Sequence, residues 1–149
     1  MSAQDVLLSR KFYIKGHDFS HAGNISGKIK ELLQDVGISA GIIRKVAIAS
    51  YEAEMNVVMY ADKGIFNFHL TPSSIRLRVE DHGKGIPDIR LAMKEGYSTA
   101  TDEHREMGFG AGMGLPNIKK NSDRFKIASE SGAGTTLDIT IFLNTQKKE

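Results

Sequence analysis

An acidic residue and an amide, Glu52 and Asn56, stand four positions apart within a long amphipathic segment. On a helix this spacing puts both side chains on one side, one turn apart. The carboxylate could take a proton from a hydroxyl, and the amide oxygen could coordinate a hard cation such as Mg2+. Two solvated surface residues would give the same isolated pattern. Glu54 lies roughly 200° around the helix from Glu52, and we expect it to face solvent.

A second carboxylate, Asp81, ends a predicted strand and is followed by Gly83 and Gly85. A carboxylate there can accept a hydrogen bond from an exocyclic amine such as that of adenine, while the glycines let a flat ring approach. An ordinary Asx turn explains the same residues. An EF-hand calcium loop is disfavoured, because it needs oxygen ligands where the two glycines stand.

A glycine-rich stretch, Gly108 to Asn121, reads GFGAGMGLPNIKKN and has glycine at every second position from 108 to 114. Its backbone N–H groups could cradle a polyphosphate, and a predicted helix from Leu115 to Arg124 would present its positive end to that ligand. A flexible linker is the alternative. Neither a dinucleotide fingerprint nor a Walker A loop fits, because no strand directly precedes the run and no Gly-Lys-Ser/Thr ends it. Thr135 offers a hydroxyl after a later glycine turn, where a structural role is more common.

The elements that must position these residues follow from hydrophobic periodicity. Alternation predicts a strand from Val6 to Ile14. A helical stripe then runs from Ala22 to Val36, with Asp18 or Ser20 as its N-cap and Gly37 as its stop. A second helix is predicted from Ser39 to Tyr60, ended by Asp62-Lys63-Gly64.

The second half of the chain predicts two strand pairs separated by a long loop. Residues 66–70 and 75–80 alternate about the turn Thr71-Pro72-Ser73-Ser74, which predicts an antiparallel hairpin. A short helix at about 88–95 and a lid at 96–114 follow, and residues 125–129 and 136–143 form the last two strands. The predicted fold class is α+β, a two-layer sandwich with helices on one face of a mixed, mostly antiparallel sheet.

Composition narrows the class of protein. The chain has 149 residues, 40% of them hydrophobic and 26% charged, which suits one globular domain spanning 1–149. A formal net charge of +2 is too small to indicate nucleic acid. Cysteine is absent, which excludes disulfides and thiolate chemistry. The sequence shows no signal peptide and no membrane span, so we expect a soluble, cytoplasmic protein.

Taken together, these motifs resemble the Bergerat-fold (GHKL) ATPases, the superfamily of gyrase, Hsp90, histidine kinases and MutL. The motifs occur in that superfamily's order on matching element types: Glu52-Ala-Glu-Met-Asn56, Asp81-His-Gly-Lys-Gly85, Gly110-Ala-Gly-Met-Gly114 and Gly134-Thr135. Within it, the length and details of the chain resemble the serine/threonine kinases that act as anti-sigma factors or as switch kinases. The resemblance covers about residues 5–143. Three further segments look most like the switch-kinase branch: Ala92 to Thr99, Gly114 to Lys120, and Phe125 to Ser129 with Gly132 to Thr135.

The resemblance implies a role for each candidate residue. Glu52 would be the general base, Asn56 would hold Mg2+, and Asp81 would read adenine. Arg105, the only arginine in the predicted lid, would reach the γ-phosphate. The remaining residues implied to contact the nucleotide are Gly83, Gly85, Ile86, Gly110, Ala111, Gly112, Met113, Gly114, Leu115 and Thr135.

The function implied is an ATP- and Mg2+-dependent kinase that phosphorylates a STAS-domain partner in bacterial sigma-factor or stress regulation. A sigma factor or another regulator is a further candidate partner, and a homodimer is left open. Two alternatives also stay open: a non-catalytic module in which ATP gates the binding of a sigma factor or regulator, and a stand-alone ATPase. No nucleic acid or membrane partner is expected.

Overall fold

The computed structural model describes residues 6–83, 93, 114–130 and 132–143. Within them five strands form one sheet in the order β1-β2-β3-β5-β4, and every neighbouring pair is antiparallel. The strands are β1 (Leu8–Lys15), β2 (Ala61–Leu70), β3 (Ser74–Gly83), β4 (Arg124–Glu130) and β5 (Gly134–Phe142). The helices are α1 (Asn24–Asp35), α2 (Ala40–Tyr60) and α3 (Gly114–Lys120).

Alternation along the central strands explains the sheet's two faces. Phe66 and Phe68 of β2, Leu77 of β3 and Ile139 of β5 are almost wholly buried, whereas the residues between them are not. The predicted hairpin is present, with Leu70 paired to Ile75 across the turn. Helix α2 ends at Tyr60, just before Asp62-Lys63-Gly64, as predicted. Asp62, Lys63 and Gly64 all belong to β2. Lys63 and Gly64 pair with Lys15 and Ile14 at the end of β1, and the register toward β3 is irregular between 61 and 64.

The first helix begins later than predicted. Neither Asp18 nor Ser20 caps it. Ser20 lies in a separate short turn at Phe19–His21, Asp18 directly precedes that turn, and Ser20 Oγ donates a hydrogen bond to Asp18 Oδ1 at 2.7 Å. Gly23, with φ of 94°, is the residue before α1. The predicted stop at Gly37 agrees with its left-handed φ of 81°. The third helix ends at Lys120 rather than at Arg124, because Arg124 already pairs with Thr140 in the sheet.

Helix α2 is the centre of the helical layer. It contacts β1, β2, β3 and β5 on one side, and it also contacts α1 and α3. Buried residues therefore lie around most of its circumference, from Ile42 to Met59. This arrangement is the predicted two-layer α+β sandwich, and the sheet is antiparallel throughout the part described. The described helices include none that is long and apolar enough to cross a membrane.

Candidate active site

Glu52 lies on the side of α2 that faces α3. Its side chain is half-buried, and Asn117 Nδ2 of α3 donates a hydrogen bond to Glu52 Oε2 at 3.1 Å. A Cβ placed on Gly114, the first residue of α3, would lie 3.6 Å from Glu52 Oε1. The start of α3, at the last of the alternating glycines, therefore lies against the carboxylate that was predicted to act as a base.

Asn56 is half-buried one helical turn further along α2. Because the spacing is four residues, its side chain is on the same side as that of Glu52. Both side chains offer oxygen atoms, the donors that Mg2+ prefers. The described residues contain no cluster of three or more His, Cys, Asp or Glu that could hold a metal ion. A cation at Asn56 would therefore need phosphate or water oxygens to complete its shell.

Asp81 lies in β3 opposite Thr135 of β5. Its Oδ1 accepts hydrogen bonds from the backbone N–H of Gly83 at 2.9 Å and of Thr135 at 3.2 Å. Within the described ranges Oδ2 makes no hydrogen bond, so one carboxylate oxygen is left to accept from a ligand. Burial raises the pKa of Asp81, and the two N–H donors offset part of that rise.

Close backbone approaches hold this carboxylate in place. Gly134 has φ of 118°, and a Cβ there would collide with the backbone oxygen of Asp81. A Cβ on Gly83 would lie 2.8 Å from the backbone oxygen of Tyr60. Thr135 is 5% exposed, and its hydroxyl lies 2.9 Å from Ser129 Oγ. In this structure Thr135 therefore positions Asp81 through its backbone while its side chain is paired with Ser129.

The structure brings the predicted residues together in two places, Glu52 with Gly114 and Asp81 with Gly83 and Thr135. Leu115 is 7% exposed and packs in the core, so its side chain is committed to packing. The other predicted nucleotide contacts lie outside the described residues and stay predictions: Gly85, Ile86, Arg105, Gly110, Ala111, Gly112 and Met113.

The expectation that Glu54 faces solvent is wrong. Its side chain is 2% exposed, and its carboxylate accepts hydrogen bonds from the backbone N–H groups of Gly23 at 3.1 Å, Ser26 at 3.2 Å and Ile25 at 3.4 Å. These are donors at the start of α1, which no side chain within α1 caps. The helical wheel predicted solvent because it does not include α1, which covers that side of α2.

Asn117 is a site residue that sequence reasoning missed. It lies three positions after Gly114, the last glycine of the run. The sequence indicated a helix and a family resemblance for this segment, but no site role for Asn117. Its partner Glu52 is 65 residues away in the chain. An amide in the first turn after a glycine-rich loop was the available signal, but nothing in the spacing indicated its partner.

The family model described as "Histidine kinase-like ATPase domain" matches residues 17–141. The chain is 30% identical over 118 residues to "Serine/threonine-protein kinase RsbT" of Bacillus subtilis (strain 168), covering 76% of this chain and 83% of RsbT. It is 31% identical over 110 residues to "Anti-sigma F factor" of Thermoanaerobacter sp. (strain X514), covering 70% of this chain and 73% of that protein.

Two solved structures share the fold. One is the SiaB-SiaC complex from Pseudomonas aeruginosa, with a TM-score of 0.62, 12% identity, and coverage of 93% of this chain and 90% of that chain. The other contains the RsbU and RsbW domains of Rv1364c from Mycobacterium tuberculosis, with a TM-score of 0.58 and 16% identity. The match covers 89% of this chain and 32% of that longer chain. The fold, the kinase class and the use of ATP predicted from the sequence are confirmed at the level of the family: this chain belongs to the histidine kinase-like ATPase domain family.

Proposed function

We propose that this protein transfers the γ-phosphoryl group of ATP to a serine or threonine of a STAS-domain partner, within bacterial sigma-factor or stress regulation. The observation that carries the proposal is the Glu52 carboxylate, which is reachable from the surface and held by Asn117 at 3.1 Å. One relative supports this class of activity by its name, the serine/threonine-protein kinase RsbT of Bacillus subtilis.

The step assigned to Glu52 is proton removal. The acceptor hydroxyl gives its proton to Glu52 as its oxygen bonds to the γ-phosphorus, the bond from that phosphorus to the bridging oxygen breaks, and ADP leaves. Asn117 occupies Oε2, so Oε1 beside Gly114 is the oxygen left for the hydroxyl. Phosphoryl transfer depends mostly on positioning and charge neutralisation, so an oriented base together with a bound metal ion would supply most of what the reaction needs.

Asn56 and Asp81 are assigned to the nucleotide. The Asn56 amide oxygen, one turn from Glu52, would hold Mg2+, which neutralises charge on the phosphates when bound. Asp81 Oδ2 would accept from the exocyclic amine of adenine, since Oδ1 is already engaged by Gly83 and Thr135. The residues outside the described ranges, including Arg105 and the glycines 110 and 112, keep their proposed roles at the phosphates.

A second function is ATP-gated binding of a sigma factor or another regulator without phosphoryl transfer. The anti-sigma factor name of several relatives favours it. The accessible carboxylate favours transfer, because a pure binding module has no need of an oriented base.

The test is a transfer assay. The purified protein would be incubated with Mg2+, γ-labelled ATP and a candidate STAS-domain protein from the same organism, with EDTA added to a parallel reaction. We expect label on a serine or threonine of the STAS protein, lost with EDTA. ATP bound tightly beside an unlabelled but captured sigma factor would instead establish the second function.

A further inference from the structure

A groove runs along the surface of α2 and ends at Glu52. Its first part is a cavity of about 550 Å3 lined by Lys30 and Gln34 of α1 and by Ile43 and Arg44 of α2. Its second part is a cavity of about 400 Å3. The two parts share Ala47 and Ile48, so they adjoin each other along α2.

The second part of the groove reaches the proposed catalytic residue. It is lined by Tyr51 and Glu52 of α2, by Asn117 of α3 and by Asn121, which directly follows α3. Along α2, positions 44, 48 and 52 repeat every four residues, so they share one side of the helix. Arg44 is eight residues from Glu52, which is about 12 Å along the helix axis. The groove therefore has the length of a short peptide segment rather than of a single side chain.

The charges in the first part of the groove all have one sign. Lys30 and Arg44 are exposed, and no carboxylate lines that cavity. Across the described ranges neither cation takes part in an ion pair. Between them and Glu52 the surface is apolar, formed by Ala47 and Ile48. The complementary occupant carries an acidic side chain at one end and apolar side chains next to it.

We propose that this groove docks the segment of the protein substrate that carries the phosphorylated hydroxyl. An acidic side chain of that segment lies between Lys30 and Arg44, apolar side chains cover Ala47 and Ile48, and the hydroxyl reaches Glu52. This inference rests on the proposed kinase function. It makes Lys30 and Arg44 determinants of substrate choice, because a hydroxyl without the acidic anchor is not held against the base.

The test compares two double charge reversals in the transfer assay. Lys30→Glu with Arg44→Glu changes the groove. Lys28→Glu with Lys126→Glu makes the same change in net charge at exposed residues outside the groove. We expect the groove variant to raise the KM for the STAS substrate about tenfold or more, since like charges would face each other. ATP affinity and melting temperature should match those of the control variant.

A photo-crosslinking amino acid at position 47 gives an independent readout. It should attach to the phosphoacceptor segment of the STAS protein, whereas the same group at position 126 should not. Equal KM values for the two double variants, or crosslinks to another part of the substrate, would overturn the groove assignment while leaving the kinase function intact. If the unaltered protein transfers no phosphate at all, the kinase function fails, and the docking proposal fails with it.

Discussion

Glu52 and Glu54 stand two positions apart on the same helix and have opposite environments. Glu52 is half-buried and lines an open groove, where Asn117 holds one of its oxygens. Glu54 is 2% exposed, and backbone N–H groups at the start of α1 surround its carboxylate. One carboxylate is available to a substrate, and the other is enclosed in the structure.

The difference shows that surroundings, rather than residue type, set what a carboxylate can do. Burial raises the pKa of Glu54, and the N–H groups of Ser26, Gly23 and Ile25 offset part of that rise. The same bonds satisfy donors that α1 leaves unpaired at its start. Glu54 therefore connects α1 to α2 a little more than half a turn from the proposed base, and the two residues should respond differently to substitution.

The largest effect is expected for Glu52→Gln. Glutamine keeps the shape and an oxygen for Asn117 but cannot accept the hydroxyl proton, so transfer should fall roughly 100- to 10,000-fold. Single-turnover transfer from labelled ATP measures this, while ATP affinity and melting temperature should not change. Glu31→Gln, at an exposed position of α1, is the matched control. A Glu52→Gln protein that transfers at the original rate would remove the base from its assigned role.

Glu54→Ala should lower stability instead of catalysis. The N–H groups at the start of α1 would lose their acceptor, which costs about 2–3 kcal/mol of unfolding free energy. Urea denaturation measures the loss, with Glu31→Ala as the control at an exposed site. A Glu54→Ala loss no larger than that of the control would contradict the capping role. The folded fraction should keep transfer activity, since Glu52 is intact.

Asn117→Ala tests whether the orientation of Glu52 matters. We expect kcat to fall about tenfold, because the carboxylate would no longer be held toward the substrate. The KM for ATP and the melting temperature should stay unchanged, which distinguishes positioning from a structural role. Asn67→Ala, at a half-buried position of β2 away from the groove, is the control. Equal kcat values for both variants would mean that the hydrogen bond has no functional part.

The smallest effect is a pH dependence of stability from Glu54. Because its pKa is raised in the folded state, its contribution is fully present below its unfolded pKa and is lost as pH rises through its folded pKa. Relative to Glu54→Gln, the original protein should therefore lose unfolding free energy as pH rises above the ordinary glutamate pKa of 4.5. Asp81, whose pKa is also raised, is present in both proteins and cancels. If the difference in unfolding free energy between the two proteins does not vary with pH, the raised pKa of Glu54 is contradicted.

Local patterns were sufficient for much of the fold. Alternation in β2, β3 and β5 indicated the strands, because residues 66, 68, 77 and 139 must bury their side chains on one sheet face. The stripe along α2 indicated its span, and its bounds agree with the prediction. Boundaries that depend on neighbours were missed. The start of α1 and the strand character of 62–64 are set by contacts with distant segments, Glu54 for the first and β1 for the second.

The sequence alone determined which residues could do chemistry and in which order they occur along the chain. Glu52, Asn56, Asp81 and the glycine-rich run are recognisable because their types and spacings are local properties. The tertiary structure decided which carboxylate on α2 is free, because α1 covers Glu54 and α3 brings Asn117 to Glu52. The first contact joins Glu54 to Ser26, 28 positions away, and the second joins Glu52 to Asn117, 65 positions away. A helical wheel drawn for one segment contains no information about which distant segments pack against it.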